Sequence, residues 1–449
     1  MQIKIATPDP HKIDENKLQR LFTEQFLQSA AWKDFQKKQT SPVYKSWEQM
    51  RFTANIPGGL NAEEAFFLLS LLRETTAKPT PIVDIENKPF IWEELSRFRY
   101  FCDDFAKNFG VHKAQESLTA VKQDLRRKKI FEGTIEEAIA SSQIEGAVIT
   151  RQQGKELLET KRKPKTLSEK MVFNNYQTIV RIENEWKHRA MSIDLLLEIQ
   201  ASLTQDTLAA PDQVGRWRTD SDGIVVGDTF KDEVALVPPP AKQLHKELGR
   251  FVRFANEELE CKEYFGDLPR AIMLHFWLAY LHPFCDGNGR TARAVFYWYL
   301  LRKNYLYIGF LPVSTRIRQA KRGYEKAFLL AEQDRNNLTY FFDYIIKQLQ
   351  LSIQDFEAYE QELAKKEVQK RSIAQQYSDL NARQVELIRY FAAHPDDVTT
   401  FQRHQVYHGI TYVTARKDIL NLQEKGLLAS HQHGRKLMFS PTEKVHISL

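Results

Sequence analysis

Cysteine is scarce: Cys102, Cys261 and Cys285 are the only three in 449 residues. So few thiols argue against a disulfide framework, no secretory leader pattern opens the chain, and cytoplasmic residence is the expectation. Long apolar runs are missing as well, since none approaches the roughly 20 residues that a membrane-crossing helix requires, and no membrane partner is expected. His and Cys do not cluster at zinc-ligand spacing. An excess of one charge is also lacking: 64 Lys and Arg against 58 Asp and Glu leave +6, from which no partner can be read. What is present is 42% hydrophobic residues over a length that accommodates two to three domains with a large core.

Most of the chemistry lies in one run, His282-Pro-Phe-Cys-Asp-Gly-Asn-Gly-Arg-Thr-Ala-Arg293. Before it, RAIMLHFWLAYL from Arg270 is long and apolar enough for a buried helix, which Pro283 ends beside His282. Gly287-Asn288-Gly289 then lets backbone N–H groups approach an anion, and TARAVFYWYLLRKN resumes as a second helix. Arg290 and Arg293 fall three apart in its first turn, so both guanidinium groups reach one face as a two-armed clamp. A base, a carboxylate, a glycine cradle and two arginines suit a nucleotide's phosphates.

The run resembles the motif of the Fic family, HxFx(D/E)GNGRxxR, at every specified position. The resemblance spans roughly Phe131 to Leu349. It implies a protein adenylyltransferase, in which a hydroxyl of a target protein attacks the α-phosphate of ATP, takes up AMP and releases pyrophosphate. By that resemblance His282 is the base, and a neutral imidazole suits the task near pH 7. Asp286 would hold Mg²⁺. Asn288 and the Gly287 and Gly289 amides would hold phosphate oxygens, and Arg290 the outer phosphates, so that His282, Asn288 and Arg290 form the catalytic set and Arg293 joins the ATP-binding one. The intact Gly-Asn-Gly favours AMP transfer over phosphorylation. Phe284 is expected to anchor the loop. In two places the chain departs from many relatives: the helix before the motif lacks their usual Glu, and downstream only Tyr324 stands where they carry a tyrosine pair.

Upstream, EEAIASSQIEGAVIT reads as a helix at about 134–146 with Gly146 as its C-cap. Ser141 with Glu145-Gly146 resembles the inhibitory motif (S/T)xxxE(G/N) of many Fic proteins. The resemblance implies that Glu145 pairs with Arg293, occupies the place of the γ-phosphate and restrains the enzyme. In some relatives the same Glu serves to remove AMP from a modified protein, and this is the first alternative. Between the two elements, GIVVG and VALV read as a hairpin at about 222–240, where Fic proteins have a flap that lays target backbone along its edge. Arg218, just before it, is expected to be structural.

The expected architecture is mainly α: a mostly helical N-terminal domain at 1–115, a Fic-type helical core with a hairpin flap at 116–350, a charged linker helix at 351–376, and a winged helix-turn-helix at 377–449. In the last, Val413, Ile419, Leu420, Leu422 and Leu427 are placed for a small core. Thr411, Tyr412, Thr414, Arg416 and Lys417 would face DNA from the third helix, with Arg435 and Lys436 on the wing. A DNA-binding regulator whose Fic core senses nucleotide is therefore the second alternative. The partners expected are a target protein, the chain itself as a substrate, and a second copy as a homodimer, because relatives often dimerise.

Overall fold

The computed structural model describes residues 5–110, 120–228, 233–261, 263, 265–433 and 436–447. These are mostly helical, with three two-stranded antiparallel hairpins. They form two compact units, Met1–Ile353 and Gln354–Leu449. The expected boundary between positions 115 and 116 lies outside the described residues.

The first unit is built around two helices, Asp267–Leu281 and Asn288–Arg302, in each of which all but two of fifteen residues are buried. Helices with no polar face must be enclosed, and here Leu167–Asn184, Ile193–Thr204 and Ala120–Ile144 pack round the pair. The first of the two ends where proline demands it: His282, at φ +47°, is its left-handed C-cap, and Pro283 follows. The upstream helix starts at Ala120, earlier than the sequence suggests, and its last helical residue is Ile144. Ile135, Ala138 and Ile139 face Leu157, Leu158 and Val172, so one turn-spaced apolar stripe fixes which side Ser141 and Glu145 present. Gly146 takes φ +94° just beyond the helix.

Two stretches near the N-terminus differ from their appearance in the sequence. AKPTPIV reads as a loop and FIWEELSRFRYFCDDFAKNFG as a single helix. Instead Lys78–Val83 pairs with Pro89–Trp92 as a hairpin, and the helix is confined to Ser96–Phe109. Prolines are tolerated in Lys78–Val83 because this strand pairs along one edge only, whereas Ile91 of its partner also bonds Asn336 and Leu338 on the outer edge. Thr80, Ile82, Phe90 and Trp92 point inward, which overrides the local turn signal. The expected flap is also a hairpin, Val226–Asp228 with Glu233–Leu236, whose connecting residues 229–232 lie outside the described ones.

In the second unit, helices Ala382–Ala393, Phe401–His408 and Tyr412–Glu424 precede a hairpin of Leu428–His433 with Lys436–Pro441. The charged stretch expected as a linker is the latter part of a 38-residue helix, Thr339–Gln376. Ile388, Phe391, Ile419, Leu422, Leu427 and Phe439 form the core. Val413, assigned to that core from the sequence, is 75% exposed, and Leu420 is only half-buried. Ala415, Ile419 and Leu422 define the buried phase of the helix, four and three residues apart, and Val413 falls off it. Arg435 lies outside the described residues.

Candidate active site

The motif loop joins the two central helices, and its conformation is set by its own side chains. Asn288 Oδ1 accepts from the Phe284 N–H and Nδ2 donates to the Phe284 carbonyl, both at 2.8 Å. An amide bonding to backbone four residues earlier is a local brace. Asn288 Oδ1 and one of the two Nδ2 protons are thereby engaged, which gives this side chain a loop-shaping role. Phe284 is fully buried and stacks on Trp217 at 4.9 Å. Gly287 adopts φ +82°, and a Cβ there would also meet Thr204 Cγ2 at 2.7 Å, so two independent constraints demand glycine.

His282 is half-buried at the helix end, with Nδ1 3.4 Å from the Ala279 carbonyl. A carbonyl only accepts, so Nδ1 carries the proton and Nε2 presents its lone pair. Burial lowers the imidazole's pKa to about 4, and the ring is neutral at pH 7. Arg218 holds this corner. Its Nε donates to the His282 carbonyl at 2.6 Å, and Nη2 to those of Leu281 at 3.2 Å and Pro239 at 2.5 Å, while its backbone N–H bonds the Pro283 carbonyl. One guanidinium thus ties the orphan carbonyls of the helix end to the base of the flap. Its structural assignment agrees with these contacts.

On the opposite side, Asp286 is exposed at the rim, with Oδ1 accepting from the Gly287 N–H at 2.5 Å and Oδ2 3.2 Å from Arg290 Nη2. Arg290 is 1% exposed, and its Nη1 donates to the Leu203 carbonyl at 3.1 Å. Arg293 turns toward the upstream helix: Nε donates to Ser141 Oγ at 2.9 Å, and Nη2 to the Ser141 carbonyl at 3.0 Å and to Glu145 Oε1 at 2.9 Å. The two arginines share a helix turn but grip different segments. Burial pushes the Glu145 carboxyl up, yet Arg293 and Arg290 outweigh it and hold the group below the usual range, as an anion. That carboxylate lies against Gly289 in the first turn of Asn288–Arg302, where unpaired N–H groups favour negative charge.

Three residues with no signal in the sequence complete the arrangement. Glu137 accepts from Ser314 N at 2.9 Å, from Ser314 Oγ and from Tyr297 Oη at 2.9 Å, fastening the Glu145-bearing helix to the core. Lys321 Nζ donates to the Ile144 carbonyl at 3.0 Å, steadying the turn from which Glu145 projects. Gln200 bridges the Asp286 carbonyl and the Gly215 N–H at 3.1 and 2.7 Å. Any of them reads as an ordinary helix residue until the distant segment it meets is in place. In the second unit Thr411, Tyr412, Arg416 and Lys417 are all exposed.

Residues 190–300, which include Gln200, Arg218 and the whole motif, match the Fic/DOC family. The chain therefore carries a Fic/DOC domain over those residues. A protein named Protein adenylyltransferase Fic, from Nematostella vectensis, is 29% identical over 206 residues, 44% of either chain. The Uridine 5'-monophosphate transferase of Xanthomonas campestris pv. campestris (strain 8004) is 27% identical over 150 residues, 30% of this chain and 27% of the relative. This chain spans less than half the length of both curated relatives. Among solved structures, a Fic family protein from Desulfovibrio desulfuricans G20 shares the fold at TM-score 0.51 and 18% identity, over 81% of this chain and 98% of that one. Among the described residues no helix is long and apolar enough to cross a membrane.

Proposed function

We propose that this protein transfers AMP from ATP to a hydroxyl side chain of a target protein and that Glu145 restrains it. The carrying observation is an anion already seated in the cradle: Glu145 rests on Gly289 and Arg293 at a helix N-terminus, on the same loop as a neutral imidazole. In the reaction the target's oxygen attacks the α-phosphorus, its proton passes to His282 Nε2, and the bond to the β-phosphate oxygen breaks to release pyrophosphate. The Gly287 to Gly289 backbone and the arginines stabilise the charge that gathers on the phosphates. The single rim carboxylate of Asp286 fits Mg²⁺, a hard cation that takes few protein ligands when substrate phosphates supply the others. Bound there, Mg²⁺ would neutralise phosphate charge.

The test is intact-mass analysis of wild type, Glu145→Gly and Glu145→Gly/His282→Ala after incubation with Mg²⁺ and either ATP or UTP. The UTP arm follows from the uridylyl relative. Gain of one AMP by the single variant alone supports transfer, base and restraint together. Gain of UMP instead reassigns the nucleotide, equal labelling of wild type overturns the restraint, and absence of labelling combined with loss of AMP from a modified protein makes the chain an eraser that uses Glu145.

A second reading rests on the second unit, whose order of three helices and a hairpin is that of a winged helix with Thr411, Tyr412, Arg416 and Lys417 exposed on the third helix. In this reading the unit binds DNA. Duplex binding that weakens with salt and is lost on Arg416→Ala supports it, and no retardation at low salt sinks it.

A further inference from the structure

We propose that Gln200 is a positioning residue for the transfer reaction, its side-chain amide setting the spacing between the segment that holds the base and the segment that holds the phosphates. The proposal rests on the transferase reading. Gln200 is fully buried on Ile193–Thr204. Its Nε2 donates to the Asp286 carbonyl and its Oε1 accepts from the Gly215 N–H.

The two partners begin different limbs of the site. From Gly215 the chain runs directly to Trp217, which stacks on Phe284, and to Arg218, which bonds the carbonyls of Leu281 and His282. From Asp286 it runs into the Gly287 to Gly289 cradle. The same helix end supports that limb twice more, through the Leu203 carbonyl that accepts from Arg290 and through the Thr204 methyl that abuts Gly287. One limb thus braces the backbone that bears the proton acceptor, the other opens the phosphate cradle, and a single amide spans them.

The chemistry of the position is narrow, because one end must accept and the other donate. Glutamine meets both demands. A glutamate anion would accept from Gly215 but turn a second acceptor toward the Asp286 carbonyl. Methionine preserves the volume and forms neither bond.

The experiment adds Gln200→Met and Gln200→Glu to the Glu145→Gly background and follows AMP incorporation by intact mass with Mg²⁺ and ATP. The Met variant should lose roughly 10- to 100-fold in rate, the scale for a misplaced reacting group. The Glu variant should lose as much, since it turns a second acceptor toward the Asp286 carbonyl. An unchanged Met or Glu variant overturns the proposal. Hydrogen exchange of the full-length wild-type background provides a reading independent of catalysis. In Gln200→Met, peptides covering Gly215–Arg218 and His282–Arg290 should both exchange faster while Ala241–Ala255 does not, and unchanged exchange also overturns it. If the Glu145→Gly parent does not label, the transfer reading fails and exchange alone decides Gln200.

Discussion

Glu145 and Gly289 touch through a missing side chain: a Cβ on Gly289 would lie 3.0 Å from Glu145 Cδ and deep inside contact distance of its Oε1. Gly289 has ordinary helical backbone, so alanine is sterically excluded by the carboxylate and not by φ. Gly289→Ala is therefore expected to dislodge Glu145 from Arg293, at a cost of about 1–2 kcal/mol for a part-buried charge-assisted bond. In a Glu145→Gly background most of that cost should vanish. Denaturation of the four proteins of this cycle checks it, and equal costs in both backgrounds would show that the carboxylate is not what excludes the methyl.

The pH dependence of transfer should report the buried imidazole. Activity needs neutral His282, whose pKa burial lowers to about 4, so the Glu145→Gly rate should stay level as pH falls through 6.5 and decline only on approaching 4. Removing Glu145 also removes a charge that raises this value, which by itself moves the decline downward. A midpoint near 6.5 would mean a solvated ring. His282→Ala should reduce the rate roughly 100- to 10,000-fold.

Arg218 binds three carbonyls on two segments, a task that suits a planar fork and not a point charge. Arg218→Ala should cost about 2–4 kcal/mol by leaving buried acceptors unpaired. Arg218→Lys should recover only part of that stability and little of the transfer rate. Thermal midpoints with initial rates test this, and a lysine variant equal to its parent in both would refute the fork.

In the second unit Asp418 accepts from Asn381 Nδ2 at 2.8 Å and Arg383 Nε at 2.7 Å, and lies 3.3 Å from His404 Nε2. Burial pushes its carboxyl up, but the bonds from Arg383, Asn381 and His404 outweigh this and hold it below the usual range. A lowered folded value gives stability that is fully present above about pH 4 and is lost as pH falls through that lowered value. Because Arg383 is one third exposed, Asp418→Ala should cost about 1–3 kcal/mol and not the full penalty of a buried pair. Hydrogen exchange in Ala382–Glu424 of the full chain should accelerate, whereas Arg416→Ala should leave it unchanged.

Local relations were legible in the chain itself. Pro283 cannot extend the helix that precedes it, Gly287 permits φ +82°, and Arg290 and Arg293 share one helix turn because three residues make nearly one turn, although they grip different segments. The brace from Asn288 to the Phe284 backbone was not legible, since an asparagine can bond either a ligand or the backbone four residues behind it. The AKPTPIV strand was hidden by prolines whose cost vanishes at an open edge. Val413 was assigned to a core because its apolar character was weighed without its helical phase.

The sequence by itself determined the elements that depend on near neighbours: the two buried helices, the turn between them, the glycine cradle and the likeness of the motif to one family. Beyond the Glu145–Arg293 pair that the resemblance implied, only the tertiary structure decided what meets the cradle. Arg293 and Glu145 stand 148 residues apart, and Gln200 meets Asp286 across 86. Neither separation carries a periodicity, because these contacts exist only after helix packing has closed the chain on itself, and buried polar groups then select the partners that satisfy them.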